Sequence, residues 1–321
     1  MDSQQTPQRP VEIVTVTLNP AVDQTVTIPH FAAGKVNRVE QAQQNAGGKG
    51  VNVASILADA GHAVAATGFL GRDNAAIFEE LFARKRIADR FVRIVGQTRV
   101  GIKISDPAGQ QTTDINFPGQ APAAADLDAL LARLDEQEAP WVVLSGSLPP
   151  GVAPTIYAEL AARLRRKGCH VALDTSGPAL RHALEAAPDL LKPNIHELEE
   201  ALGTPLPTPA AVVAAVQPLL ARGTRLVAVS MGADGACLVT PDGLVVARPP
   251  RVEVQSTVGA GDAMVAGLVA AQLRGLPLPA AARLATAFSV DAITHIGAGI
   301  SSSAAIEALE ERVVIEEGIR G

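Results

Sequence analysis

Short apolar runs alternate along this chain with longer stretches in which apolar positions recur every three or four residues. Val11 to Leu18, Ala63 to Thr67, Trp141 to Leu144, His170 to Asp174, Leu190 to Lys192 and Leu226 to Ser230 read as strands. Helical periodicity begins near Val51 and near Asn74, and from Ala123 onward the rhythm is helix then strand. Strands apolar on both faces need cover on both sides, so this alternation predicts a mostly parallel sheet between two layers of helices. Cys237 to Thr240 and Leu244 to Ala247, joined at Pro241-Asp242-Gly243, predict an edge hairpin.

Two segments break that rhythm. Asn19 to Asn45 is rich in polar residues and reads as turns and short exposed strands. Two alternating runs, Arg99 to Ser105 and Gln111 to Phe117, flank the turn Asp106-Pro107-Ala108-Gly109, the pattern of a hairpin. Arg99, Gly101 and Lys103 share one face of the first run, and Val100, Ile102 and Ile104 share the other. A small sheet of this kind, built from about 22–40 and 93–118, is suited to cover a cleft as a lid.

Composition narrows the picture. A chain of 321 residues can be one large α/β domain, here 11–321 after a disordered tail over 1–10. A net charge of −6 argues against nucleic acid and against an anionic membrane surface as partners. No apolar run reaches the roughly 18 residues that span a bilayer. The polar start, Met1 to Pro10, has no apolar signal core, and Cys169 and Cys237 sit in apolar surroundings far apart. Buried free thiols in a reducing cytoplasm follow as the expectation.

The densest chemistry lies at Thr257-Val258-Gly259-Ala260-Gly261-Asp262, directly before the apolar run from Ala263. Gly259 and Gly261 let successive N–H groups converge at the start of a buried helix, where the unpaired donors and the helix dipole favour an anion. A carboxylate at such a place is repelled by its guest unless it has work to do. Asp262 therefore reads as a general base beside the amides of Ala260 and Gly261. The same residues also fit a plain helix start capped by Asp.

Other clusters are weaker alone. Gly47-Gly48-Lys49-Gly50-Val51-Asn52 allows a ligand close to the backbone, with Lys49 and Asn52 as donors, or is a tight turn before a helix. Its spacing is not that of a P-loop or a dinucleotide fingerprint. Asp23, in Asn19-Pro20-Ala21-Val22-Asp23 after the first strand, lies where substrates bind in open α/β sheets. Arg99 and Lys103, with Lys35 and Arg38, form a basic set suited to an anionic group on the substrate, or a solvated face. In Lys192-Pro193-Asn194-Ile195-His196-Glu197, Asn194 and Glu197 could hold a hydrated Mg²⁺, form a capping box, or both. Ser230-Met231-Gly232-Ala233-Asp234-Gly235 ends a strand with two glycines, Gly232 and Gly235, that suit a nucleotide's edge.

Taken in order, these motifs and Ser145-Gly146-Ser147-Leu148-Pro149-Pro150-Gly151 resemble the ribokinase-like carbohydrate kinases of the phosphofructokinase-B type, from residue 11 to about 315. The resemblance implies a Rossmann-like three-layer α/β/α sandwich with a β-sheet lid that often forms a dimer interface. It also implies ATP and Mg²⁺, with Asp262 as base. Asp23, Gly48, Asn52 and Ser147 would then meet the sugar, Arg99, Lys103 and Lys49 its phosphate, and Lys192, Asn194, Ser230, Gly232 and Gly235 the nucleotide. A K⁺ ion held by carbonyls around Val252 to Ser256 and after Thr294 belongs to the same expectation. Gly34 to Arg38, Thr98 to Lys103 and Thr113 to Gly119 look most like the 1-phosphofructokinase branch, with tagatose-6-phosphate kinases and minor 6-phosphofructokinases close by. A sugar-phosphate sensor without catalysis is the reading from another class.

Overall fold

The computed structural model describes residues 9–295 and 297–318, so most of the tail expected over 1–10 lies outside the described residues. In chain order the strands begin with β1 (Ile13–Thr17), β2 (Ala21–Thr27), β3 (Gln41–Gly47), β4 (Val64–Gly71), β5 (Ala88–Asp89) and β6 (Val92–Ile94). They continue with β7 (Val100–Asp106), β8 (Gln111–Asn116), β9 (Trp141–Ser145), β10 (His170–Asp174) and β11 (Leu190–Leu191). The last are β12 (Leu226–Ser230), β13 (Ala236–Val239), β14 (Leu244–Arg248) and β15 (Val314–Gly318). The α-helices among the described residues are α1 (Lys49–Asp59), α2 (Ala76–Lys85), α3 (Ala124–Glu136), α4 (Ile156–Arg166), α5 (Gly177–Ala183), α6 (Ile195–Leu202), α7 (Pro209–Ala221), α8 (Ala260–Leu273), α9 (Leu278–Ala292) and α10 (Ser303–Glu310).

Eleven of these strands form one sheet in the order β15-β14-β13-β12-β11-β10-β9-β1-β4-β5, with β6 also paired to β4. From β12 to β5 every neighbour runs parallel, and β13, β14 and β15 add antiparallel strands. β1 and β9 are buried along their whole length, and β12 as far as Val229, because both faces are covered. On one face Ile13, Val143, Ala172 and Ala228 pack with α1 (Lys49–Asp59) and with the later helices α8 (Ala260–Leu273) and α9 (Leu278–Ala292). On the other, Val14, Val16, Val142 and Leu144 meet the helices between β8 and β12 through Leu130, Tyr157, Leu160 and Val212. The three-layer α/β/α sandwich expected from the sequence is the observed architecture.

α8 runs through the interior, with every residue from Asp262 to Ala271 buried. Its closeness to α9 depends on Gly267, where a Cβ would come within 2.7 Å of the Ala285 Cα. That packing fixes the direction in which the N-terminus of α8 points.

The separate sheet has the order β3-β2-β7-β8, with β2 and β7 parallel and the outer pairs antiparallel. It extends beyond the segments expected from the sequence. β3 carries the first excursion on to Gly47, while Val92 to Ile94 pairs with β4 in the central sheet. Residues 93 and 94 therefore belong to the body. Similarly, the hairpin of β13 and β14 is not the sheet edge, because β15 pairs outside β14. β15 is apolar only at Val314 and Ile315 before two glutamates, too little pattern to announce a strand.

Candidate active site

β1 lies between β4 and β9, so the loops leaving β1 and β9 separate and open a crevice at the carboxyl ends of the strands. A cavity of about 480 Å³ opens there beneath the small sheet. One side carries Asp23, Gly48, Lys49, Asn52 and Arg99; the other carries Lys192, Asn194, Glu197 and Ser230. Gly259, Gly261 and Asp262 close the base. Asp23 and Asp262, 239 residues apart in sequence, thus meet in one place.

Gly259 has φ 85°, a left-handed conformation suited to glycine, and turns the chain into α8. α8 has no side-chain cap, and its first intrahelical bond runs from Ala263 N to Gly259 O. The N–H groups of Ala260, Gly261 and Asp262 therefore keep their donor capacity at the positive end of a buried helix. The Asp262 side chain accepts a 2.8 Å hydrogen bond from Asn52 Nδ2 instead of capping its own helix. Burial, reinforced by the nearby Asp174 carboxylate, pushes the Asp262 carboxyl up to about 7, against the opposing pull of Lys49, Asn52 and Lys192. A carboxylate tuned this close to neutral has the basicity that proton abstraction needs.

Asp174, at the end of β10, was not singled out in the sequence. It lies between two cations, with Lys49 Nζ at 3.2 Å and Lys192 Nζ at 3.4 Å. Burial would raise its carboxyl, but the two lysines outweigh that and hold it below the usual carboxylate range. In return the Lys49 ammonium, despite burial, is held above its ordinary value by Asp174, Asp262 and Glu197. Lys192 is only 3% exposed, and a Cβ built on Gly261 would lie 3.4 Å from its Nζ. A cation thus stands beside the amides of α8, and Asp174 fixes it there. The available signal was position alone: an Asp closing an apolar strand at the crevice edge of the sheet.

The small sheet supplies the upper wall. Asp23 faces Asn45 on β3 and Gly101 on β7. Burial raises its carboxyl, while Lys103 and Arg99 work in the other direction. Arg99 donates from Nη1 to Phe117 O at 3.2 Å and from Nη2 to Asn19 O at 3.3 Å, so part of its fork is already used in joining the small sheet to the body. Lys103 pairs in register with Asp114 and is not among the residues lining this cavity. Ser147 lies in a neighbouring cavity of about 910 Å³ that Arg99 also borders, and its Oγ accepts from Asn19 Nδ2 at 3.2 Å.

Asn194 and Glu197 make the capping box at the start of Ile195–Leu202. Glu197 N donates to Asn194 Oδ1, and Asn194 N donates to Glu197 Oε2, both at 2.8 Å. Their other oxygen, Glu197 Oε1, makes no hydrogen bond among the described residues and borders the cavity through its side chain. Among the described residues no three His, Cys, Asp or Glu side chains are grouped to hold a metal. Ser230 reaches the cavity, and its bridge to Asn194 extends the β11–β12 pairing. Gly232 and Gly235 turn the chain just beyond it without lining the cavity, and Gly235 closely approaches the Ala247 carbonyl. Cys169 and Cys237 are buried free thiols, as expected. No helix is long and apolar enough to cross a membrane among the described residues.

Residues 14–305 match the model of the pfkB family of carbohydrate kinases. The chain belongs to that family. Among curated members it is 52% identical over 309 residues to the 1-phosphofructokinase of Rhodobacter capsulatus, covering 95% of this chain and 98% of that one. The 1-phosphofructokinase of Xanthomonas campestris pv. campestris is 48% identical over 288 residues, 87% of this chain and 90% of the relative. Of solved family structures, phosphofructokinase-2 from Escherichia coli in complex with potassium superposes with TM-score 0.88 at 28% identity, covering 94% and 99% of the two chains. In this pfkB chain the Gly259 to Asp262 turn lies over the central sheet, opposite the Gly47 to Asn52 turn, which places both glycine clusters at one site.

Proposed function

We propose that the chain is an ATP-dependent 1-phosphofructokinase, moving the γ-phosphoryl group of ATP to the C6 hydroxyl of fructose 1-phosphate and releasing fructose 1,6-bisphosphate. The observation that carries the transfer is Asp262, buried at the head of an uncapped helix and bonded by Asn52. The choice of sugar phosphate is supported by the names of the full-length relatives at 52% and 48% identity.

In this reading residues 11–321 act as one kinase unit with the small sheet as its lid. Asp23, Gly48 and Asn52 orient the sugar, and Arg99, Lys103 and Ser147 face its phosphate. Asp262 takes the proton of the attacking hydroxyl onto its carboxylate. The amides of Ala260, Gly261 and Asp262 and the Lys192 ammonium stabilise the charge that develops on the phosphoryl oxygens. Lys49 also faces the phosphate of the sugar, and Asn194, Ser230, Gly232 and Gly235 border the nucleotide with Lys192.

The anionic guest these donors fit is a polyphosphate. Mg²⁺ usually keeps several waters and needs few protein ligands, so the free Glu197 oxygen suits it. Bound to the phosphates, it would neutralise their charge. A K⁺ ion at carbonyls around Val252 to Ser256 belongs to the same reading, supported by the potassium complex of the Escherichia coli neighbour. Val36, Val39, Ile115 and Phe117 are large apolar residues exposed on the lid, which supports pairing of two copies through it. The two buried free thiols suit a reducing cytoplasm.

The direct test is ADP release with Mg·ATP and fructose 1-phosphate, fructose 6-phosphate or tagatose 6-phosphate in parallel. A kcat/KM at least tenfold higher for fructose 1-phosphate, about 1.4 kcal/mol, is the expected result. Preference for a 6-phosphate overturns the substrate, and binding without turnover of any overturns the enzyme in favour of a sensor.

A further inference from the structure

We propose that Asn116 sets the choice between a ketose 1-phosphate and a ketose 6-phosphate, by reading the hydroxyl on the carbon next to the phosphate-bearing one. The inference rests on the sugar-phosphate kinase reading above.

Four residues line up across the lid at one level: Asn45 on β3, Asp23 on β2, Gly101 on β7 and Asn116 on β8. Residues paired in this way project from the same face of a sheet, so Asp23, which borders the 480 Å³ cavity, and Asn116, which borders the adjoining 910 Å³ cavity, stand on either side of Gly101, with Arg99 bordering both cavities. With strands about 4.8 Å apart, their Cα atoms stand roughly 10 Å from each other, so a furanose ring lying over Gly101 would be within reach of both side chains. Gly101 keeps that floor bare. A Cβ there would meet Asp23 Oδ1 at 3.1 Å and Asn116 Oδ1 at 3.7 Å, so both polar groups lean over the same gap.

Asn116 is also the last lid residue before a turn tied to the body. Phe117 O accepts from Arg99 Nη1, and Pro118 O accepts from Asn19 Nδ2 at 3.1 Å. Its place relative to Arg99 and Ser147 is thereby set, and all three border the 910 Å³ cavity. Its own carboxamide makes no hydrogen bond among the described residues and is free for a ligand.

Arg99 draws the phosphate of the sugar to this end of the row. In a ketofuranose 1-phosphate the carbon attached to the phosphate-bearing carbon is the anomeric one and carries a hydroxyl. In a 6-phosphate the corresponding carbon carries the ring oxygen and a hydrogen. A carboxamide donates and accepts, so it matches a hydroxyl and is left unpaired by the ring ether's C–H. Sites that hydrogen-bond a substrate hydroxyl discriminate strongly against an analogue without it.

The test compares wild type and Asn116→Ala on fructose 1-phosphate and on 2,5-anhydro-D-mannitol 1-phosphate, which lacks only the anomeric hydroxyl. Wild type should lose about tenfold in kcat/KM on the analogue, mainly through KM. Asn116→Ala should lose about tenfold on fructose 1-phosphate and then treat the two sugars alike within about threefold. β8 is exposed, and an unchanged melting temperature would exclude misfolding as the cause. Equal ratios in both proteins, with normal wild-type turnover, overturn the role of Asn116 alone. No wild-type turnover of fructose 1-phosphate overturns the substrate reading and this inference with it.

Discussion

Asn52 and Asp262 face each other across the N-termini of two helices, the carboxamide donating to the carboxylate at 2.8 Å. The bond favours the charged form of Asp262, so removing it should let the carboxyl rise further above about 7. Asn52→Ala should therefore move the acid limb of the kcat/KM–pH profile upward by roughly one unit, the equivalent of one hydrogen bond to a charged group. An unmoved limb would mean that the two residues do not share a proton equilibrium.

Asp262→Asn should keep substrate binding and lower turnover by roughly 10²-fold or more. The same variant should be more stable than wild type in alkaline buffer. The folded carboxyl titrates near 7 and the unfolded one near 3.8, so folded protein holds more protons between those values and stability falls as pH rises through that window. Asparagine has no such loss. The gap in melting temperature should be widest at pH 8 and shrink towards pH 4, and a constant gap would contradict the raised value.

The sequence made the fold legible because both of its rhythms are strong: apolar strands of about five residues and helices with one or two buried stripes. The site was legible where backbone demands leave glycines, as at Gly48 and Gly259, whose φ values of 106° and 85° few other residues adopt. Pairings were not legible. Asp174 takes its meaning from Lys49, 125 positions earlier, and from Lys192, which only the β9–β10–β11 order brings to it. Asn52 reads as a donor for sugar, and that one of its amide N–H groups also goes to Asp262, 210 positions later, is a pairing no spacing announces. Exposed strands were expected in this region, but the bounds of β3 were not legible because five of its seven residues, Gln41 to Asn45, are exposed and carry almost no apolar alternation.

Asp174→Asn would leave Lys192 buried without its counter-ion, which costs about 3 kcal/mol or more when one partner of a buried pair is removed. Lys49 is partly exposed and should contribute less. Urea unfolding should show that loss at neutral pH. Adding Lys192→Met should restore much of the stability without restoring activity. If the single variant is as stable as wild type, the lysines do not depend on Asp174. Because the folded Asp174 carboxyl lies below its ordinary value, its contribution is present at neutral pH and disappears only as pH falls below about 3.8.

Lid closure should be visible in hydrogen exchange. Asp106 accepts from the amides of His30, Phe31, Ala108 and Gly109, which knits the loop after β2 to the β7–β8 turn. The lid should therefore move as one piece. Sugar phosphate with a non-hydrolysable ATP analogue should slow exchange in Gln111 to Phe117 together with the strands beside it, and equal exchange with and without ligands would argue against closure.

Gly47→Ala tests the place of Asp23 without touching it. Gly47 ends β3 opposite Ala21, and a Cβ there would overlap the Asp23 carboxylate. The obstacle is the end of a side chain, which can rotate away, so the protein should fold with little change in melting temperature. The rotated carboxylate would no longer point along the row with Gly101. Loss of a charge-assisted hydrogen bond to a sugar hydroxyl, about 1.5 kcal/mol, should raise KM for the sugar phosphate roughly tenfold. KM for ATP should stay within about twofold, because the groups beside α8 are untouched. The split separates a sugar contact from a general defect: both constants rising together would point to a distorted lid, and neither rising would remove Asp23 from the sugar site.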